Sequence, residues 1–473
     1  MQPIGPTVLT AHGYGLDRHA PENQALIEAL REELTVSPLV NPNAPGYDAS
    51  VPPPRIPLWR ESPKRFYVPR AFGLARFGPA KRDLLATPEA GDPAPGLVFQ
   101  GTLRAAQLEA VAAFEAAASD PRRRGGQIVV GCGAGKTVMA IHEACRLGRK
   151  TLIVAHKSFL MEQWRDRLAQ YAPGASVGTI RQDRVDVGGR DVVIASLQSL
   201  AMRSYEPEVF RGFGLLIVDE CHHVAAEVFS RALPRTTCAY ALGLSATPDR
   251  KDGLSRVIEW FLGPACFVGQ RRTDSTVEVR RLAFRQPQPQ PQPPDEAGGD
   301  DGTYGVQHMI GWGPRARRNT ARMLNDVASC ASRNAFLVRA LLDAMEAEPE
   351  RRALVLSERR GHLLELEQRL REAGRGDIGF YVGGMKQTAL DAAARSQILL
   401  ATFQMAAEAM DVPGLTLLLL ATPLGDVNQS VGRVRRCAGK AVVLDVLDGF
   451  APYLGMADRR ARWYRSEHFN VLT

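Results

Sequence analysis

Short apolar runs rich in β-branched residues recur along the chain, and helical stretches separate them. From Thr102 the order is helical LRAAQLEAVAAFEAAAS, then GQIVV, a helix after GCGAGKT, TLIVAH, another helix, DVVIAS, LLIVDE and YALGLSA. Runs that are apolar on both faces and alternate with helices predict a parallel sheet covered on both sides. The alternation resumes past residue 302 with helical RARRNTARMLNDVASCASRNAFLVRALLDAM, then RALVLS, a helix, IGFYVG, QILLAT, LTLLLLAT and AVVLDVLD. Two α/β domains in tandem are therefore expected.

The remaining segments set the boundaries. Residues 1–98 are rich in proline and loop residues, with one helical candidate, ENQALIEALREELTV, and read as an N-terminal accessory domain or nucleic-acid-binding arm. Residues 99–272 and 273–473 form the two α/β domains. The tract RQPQPQPQPPDEAGGDDG, 285–302, predicts an extended, flexible spacer, since alternating Gln-Pro cannot donate regular backbone hydrogen bonds. STVEVRRLAF precedes it. If that strand belongs to the second domain, the tract is an insertion within it.

A chain of 473 residues can bury cores without staples, and 45% hydrophobic with 23% charged residues is an ordinary globular balance. Seven scattered cysteines without a C-x-x-C pair argue for a reducing, intracellular compartment and against a disulfide framework. No leader-like segment or long apolar run suggests secretion or a membrane span. The net charge of +8 is compatible with a nucleic-acid partner without requiring one.

The chemistry begins at VVGCGAGKTVMA, between an apolar strand and a helix. Backbone N–H groups at Gly133, Ala134, Gly135, Lys136 and Thr137 would face phosphates at a helix N-terminus, where the dipole favours an anion. Lys136 would reach the β and γ phosphates of ATP, and Thr137 would hold Mg2+. Val130 stands where the general phosphate-loop pattern has glycine.

LLIVDECHHV places Asp219, Glu220, Cys221, His222 and His223 in succession. All are ligand types for transition metals, but one ion needs ligands that alternate along a strand or recur on one helical face. Downstream of a phosphate loop, the run divides differently: Asp219 for Mg2+, Glu220 for the attacking water, Cys221 as a small buried residue. His223 acquires no role.

Together these segments resemble superfamily 2 helicases, in order and over most of residues 100–470. The resemblance implies two tandem RecA-like P-loop domains and an ATP-dependent nucleic-acid motor. LRAAQ resembles the adenine-side motif, with Arg104 and Gln107; GCGAGKT is motif I; DECH is motif II, with His222 linking nucleotide to the second domain through Gln429. SAT, with Ser245 and Thr247, couples hydrolysis to domain movement. ATFQMAAEAMDVPGL resembles motif V, with Glu408 and Asp411, although Ala409 replaces the usual glycine. QSVGRVRR resembles motif VI, with Gln429 near the nucleotide and Arg433 and Arg436 as arginine fingers. TLIVAHKSFLMEQWRDRL, GTIRQD and the spacing after SATPDRKDGL are similar to the XPB group, and the end segments resemble poxvirus transcript-release-type helicases of large DNA viruses.

By the same resemblance, His156, Lys157, Ser196, Gln198, Ser199, Ser357, Arg359 and Thr402 would contact the nucleic-acid strand. Serines and threonines at strand ends also simply cap helices. KRFYVPRAFGLARFG interleaves four cations with Phe66, Tyr67, Phe72 and Phe77, which suits either base stacking or packing of the arm onto the motor core. The expected partner is DNA, as duplex or fork, with RNA and an RNA polymerase or transcription complex as further candidates. The implied role is transcript release, transcription termination or repair; a viral protein would act in a cytoplasmic virus factory, the virion or the host nucleus. A restriction-type motor subunit and an ATP-switched remodelling scaffold that does not unwind are the competing readings.

Overall fold

The runs Gly125–Val129, Thr151–Ala155 and Leu215–Val218 are buried at every position. A strand can bury both faces only inside a sheet covered on both sides. In the computed structural model they lie in an eight-stranded sheet of order Arg184–Asp186, Val177–Arg181, Val192–Ser196, Thr151–Ala155, Leu215–Val218, Tyr240–Ser245, Gly125–Val129, Ala265–Val268. Every pairing is parallel except that of Val177–Arg181 with Arg184–Asp186. The structure describes residues 3–472 except 4, 38–51, 86–90, 132, 224–227, 229–230, 237, 247–254, 270–276, 287–302, 311–316, 409, 411 and 435–439. The chain divides into two units, Met1–Gln270 and Arg271–Thr473.

Alternate strand residues of the first unit serve two cores. Ile153, Ile194, Ile217 and Leu244 face the helices Ala105–Ser119, Lys136–Leu147 and Ser158–Tyr171. Leu152, Val154, Val193, Leu216 and Val218 face the other way, into a core that also holds Leu9, Leu16, Ile27, Leu30, Phe66 and Phe72. Together with the helix Ser255–Leu262, the N-terminal segment therefore contributes to one of the sheet's two covering layers. It brings its own five-stranded sheet, Arg60–Glu61, Arg65–Val68, Gly13–Asp17, Val8–Thr10 and Arg82–Asp83.

KRFYVPRAFGLARFG lies at this junction, and its burial favours the packing reading. Phe66 and Phe72 are buried, with Phe72 edge-on to Trp260. Arg70 is also buried, its Nη1 donating to the carbonyls of Ala239, Arg123 and Arg124 at 3.3, 3.4 and 3.5 Å. Loss of water pulls its guanidinium down to about 10. Arg76 pairs with Glu33 at 2.6 Å.

The second unit holds a seven-stranded parallel sheet, Ile378–Tyr381, Ile398–Thr402, Arg352–Ser357, Leu415–Leu420, Ala441–Asp448, Val277–Phe284 and Asn470–Leu472. Val277–Phe284 belongs to this sheet, so the Gln-Pro tract falls inside the second unit's stretch of chain; most of it lies outside the described residues. Two buried ion pairs brace the unit. Arg333 makes bonds to Asp448 at 2.7 and 2.9 Å, and Arg460 bonds Asp445 at 2.9 and 2.6 Å. Among the described residues, no helix is long and apolar enough to cross a membrane.

Candidate active site

Sheet order assembles the first part of the site. The strand ends at Val129, Ser245 and Val218 lie side by side, since Tyr240–Ser245 pairs with Gly125–Val129 on one flank and Leu215–Val218 on the other. From Val129 the chain loops to the helix Lys136–Leu147, whose N-cap Gly135 is left-handed, φ 89° and ψ 36°. Gly133 is also at positive φ, 82°. A Cβ on Gly135 would stand 2.1 Å from Gln107 Nε2, so a side chain there would have to displace the glutamine's amide as well as adopt a left-handed backbone.

Arg104 and Gln107 hold this loop from behind. Arg104 Nη2 donates to the Ala134 carbonyl at 2.6 Å, and Gln107 Nε2 donates to the same oxygen at 3.1 Å. Gln107 Oε1 accepts from Arg104 N at 2.8 Å, fixing the start of their helix. With carbonyls engaged on that side, the first helical turn, whose N–H groups have no acceptors within the helix, makes an anion site.

The acids follow the buried strand Leu215–Val218. Asp219 Oδ2 accepts from the indole Nε1 of Trp164 at 2.8 Å, and Oδ1 accepts from Glu220 N at 2.9 Å. Burial, and then the neighbouring Glu220 charge, push the Asp219 carboxyl up to about 6. Glu220 sits at φ 46°, a region that costs a non-glycine residue roughly 1–2 kcal/mol. Its carboxylate spans two motifs: Oε1 is 3.4 Å from Lys136 Nζ and Oε2 is 3.4 Å from His222 Nδ1. His222 Nδ1 is in turn 3.0 Å from Ser245 Oγ. Lys136 Nζ also donates to the Val130 carbonyl at 3.4 Å.

One continuous chain, Lys136, Glu220, His222, Ser245, thus ties the phosphate loop to the end of the neighbouring strand. Cys221 is buried, its Sγ 3.8 Å from Gln127 Oε1, and burial pushes its thiol up and away from the thiolate form metals need. The donors suited to an ion are oxygens. Asp219 uses two of its roughly four lone-pair positions, and a buried carboxylate gains from an adjacent cation; both properties fit Mg2+.

The expected strand contacts divide into two groups. Lys157 stands at the N-cap position of the helix Ser158–Tyr171 without a side-chain cap bond, His156 precedes it, and Gln198 Nε2 donates to the His156 carbonyl at 2.5 Å. Gln198 is exposed; His156, Lys157, Arg359 and Thr402 are half-buried. Arg359 Nε donates to Asn325 Oδ1 at 2.7 Å. Ser199 and Ser357 are buried, and their hydroxyls are engaged within the protein. Ser199 Oγ accepts from Gln182 N at 2.9 Å, while Ser357 Oγ lies 3.0 Å from His362 Nδ1 and accepts from Arg359 N at 3.0 Å. Ser196 caps the helix Leu197–Met202 by accepting from Ser199 N.

In the second unit, Gln429 and Arg433 lie on the helix Asn428–Val434, and Arg433 Nε donates to the Ala406 carbonyl at 2.7 Å. Thr247, Asp411, Arg436 and the side chains of Glu408 and His223 lie outside the described residues.

Trp164 is the participant that motif reading missed. It was legible in principle, since Leu160, Met161, Trp164 and Leu168 form the buried face of one helix, and a buried indole N–H needs an acceptor.

Residues 100–250 match the family model described as "Type III restriction enzyme, res subunit". A relative from Acanthamoeba polyphaga mimivirus, "Putative ATP-dependent RNA helicase L396", is 28% identical over 98% of this chain and 86% of its own. The "General transcription and DNA repair factor IIH helicase/translocase subunit XPB" of Danio rerio is 29% identical over 31% of this chain and 20% of its own. The crystal structure of T4 UvsW, at 17% identity, covers 95% of each chain with a TM-score of 0.36. In motif order and in its parallel α/β sheets the chain is similar to helicases of superfamily 2, and the matched family model and the mimivirus and Danio rerio relatives agree with that likeness. The proteins it is similar to include viral putative helicases and XPB subunits.

Proposed function

We propose that the chain is a nucleic-acid-dependent ATPase that couples ATP hydrolysis to movement along DNA. The observation that carries this reading is the side-chain relay from Lys136 through Glu220 and His222 to Ser245, which gives phosphate chemistry a mechanical outlet. In this reading the Lys136 ammonium is shared between Glu220 and the nucleotide phosphates. As the phosphates draw Lys136, Glu220 becomes available to orient and deprotonate water, and His222 transmits the change to Ser245 and, through Gln429, to the second domain. Thr137 and Asp219 would hold Mg2+, which supplies charge neutralisation on the phosphates when bound.

Gly133, Ala134, Gly135 and Lys136 would cradle the phosphates, with Arg104 and Gln107 on the adenine side. Glu408, Asp411, Gln429, Arg433 and Arg436 are assigned to the nucleotide from the second domain, and Thr247 to coupling. An arginine finger can supply a factor of about 10³ to 10⁵ in rate. His156, Lys157, Gln198, Arg359 and Thr402 would follow the strand's phosphates, giving affinity without sequence preference. DNA is supported by the XPB relative, whose name includes DNA repair, whereas the mimivirus relative is named for RNA.

The test compares ATPase stimulation by duplex DNA, single-stranded DNA and RNA, with strand displacement measured alongside. DNA stimulation with displacement is the expected result for a helicase. Duplex stimulation without displacement leaves a translocase, stimulation by RNA alone overturns the DNA assignment, and no stimulation overturns the motor.

A further inference from the structure

The hairpin formed by Val177–Arg181 and Arg184–Asp186 carries a feature that the helicase motifs leave unused. Its register sets Arg181 directly opposite Arg184, so both side chains project from the same face. Like charges in that position destabilise a strand pair. The hairpin's own acids do not relieve them: Asp183 pairs with Arg203, and Asp186 pairs with Arg190 at 2.9 Å. Both Arg181 and Arg184 are exposed, and among the described residues neither has a carboxylate partner.

The two arginines line a groove of about 460 Å³ with Met161, Arg165, Thr179 and Gln182. Glu162 is the one acid on its wall, 3.8 Å from Arg165, which leaves the groove with a net positive charge. The turn is also anchored to the face discussed above. Gln182 N donates to Ser199 Oγ at 2.9 Å, Tyr205 Oη donates to the Gln182 carbonyl at 2.8 Å, and Gln198 of the same helix bonds the His156 backbone.

We propose that Arg181 and Arg184 clamp backbone phosphates of the bound nucleic acid, extending the strand's path past His156 and Lys157 onto the edge hairpin. An anion between the two guanidiniums would turn the opposed like charges into a shared ligand set. Guanidinium forks match phosphate geometry in a way that a lone ammonium does not. The inference rests on the nucleic-acid reading of the preceding subsection and deepens it.

The test is the salt dependence of binding by the full-length chain to a fluorescein-labelled single strand and its duplex. Loss of two phosphate contacts in Arg181→Ala/Arg184→Ala should reduce the log–log salt slope by about 1.8 on duplex and about 1.4 on single strand. Raising salt from 50 to 200 mM should then weaken the variant by about 12-fold less than wild type on duplex, and about 7-fold less on single strand. Arg181→Lys/Arg184→Lys should keep the wild-type slope with weaker binding, and each single alanine variant should lose about half the effect. Removing opposed like charges should not lower the Tm. An unchanged slope in the double alanine variant, with wild type binding normally, overturns the clamp alone. If wild type binds neither probe, the nucleic-acid reading falls together with the clamp.

Discussion

Gly135→Ala tests whether the phosphate loop is built from behind. The added Cβ would be held at φ 89°, costing roughly 1–2 kcal/mol for an L side chain. It would also stand 2.1 Å from Gln107 Nε2, so the glutamine must leave. Departure forfeits the bond to Ala134 O, about 0.5–1.5 kcal/mol, and the cap on Arg104 N, about 0.5–2 kcal/mol. The single change should therefore destabilise by about 2–5.5 kcal/mol and raise the half-saturating ATP concentration. In a Gln107→Ala background the clash is gone, and the same change should cost only the roughly 1–2 kcal/mol of backbone strain. Urea denaturation of the four proteins of this cycle gives the coupling, expected at about 1–3.5 kcal/mol. Additivity within about 0.5 kcal/mol would refute the contact between loop and glutamine.

Three further outcomes are expected. Glu220→Gln should retain ATP binding and lose turnover; a variant that still hydrolyses ATP removes Glu220 as the base. Arg333→Met should destabilise by about 3–5 kcal/mol by leaving Asp448 charged and buried, and adding Asp448→Asn should recover part of that loss in urea denaturation. His362, hydrogen-bonded to Ser357 and Asn334, is held down to about 3 by burial and by Arg333, against about 6.5 unfolded. Because the unfolded chain takes that proton first, the stability is full above pH 6.5 and falls as pH drops toward 3, by up to about 1.4 kcal/mol per pH unit. Urea denaturation at pH 7.5 and 5 should show a shallower dependence in His362→Gln than in wild type; equal slopes would contradict the buried neutral imidazole.

The two sheets were legible because strands buried on both faces read as continuous apolar runs, as in Leu215–Val218 and residues 417–420. The loop residues Lys136 and Glu220 were legible because phosphate chemistry restricts residue type at fixed spacing, and their 3.4 Å approach brings the two motifs together. Long-range partners were not. Nothing local in the sequence joins Trp164 to Asp219, or Gln182 to Ser199, since each contact depends on neighbouring strands meeting. Strand-end serines were ambiguous for the opposite reason: cap and phosphate contact require the same hydroxyl, and Ser196 shows the cap. The arm's aromatics carried a similar ambiguity, which the burial of Phe66 and Phe72 resolves toward packing.

The layer shared by the N-terminal segment and the first motor sheet has a thermodynamic consequence. Each large aliphatic side chain buried there contributes about 1.5–3 kcal/mol, and one core holds Leu216 and Val218 of the sheet together with Leu9, Leu30, Phe66 and Phe72 from before position 99. Neither partner can lose the other without transferring this surface to water. The accessory segment and the ATP-binding sheet should therefore melt in one cooperative transition, and a chain beginning at residue 99 would present a sticky, aggregation-prone face.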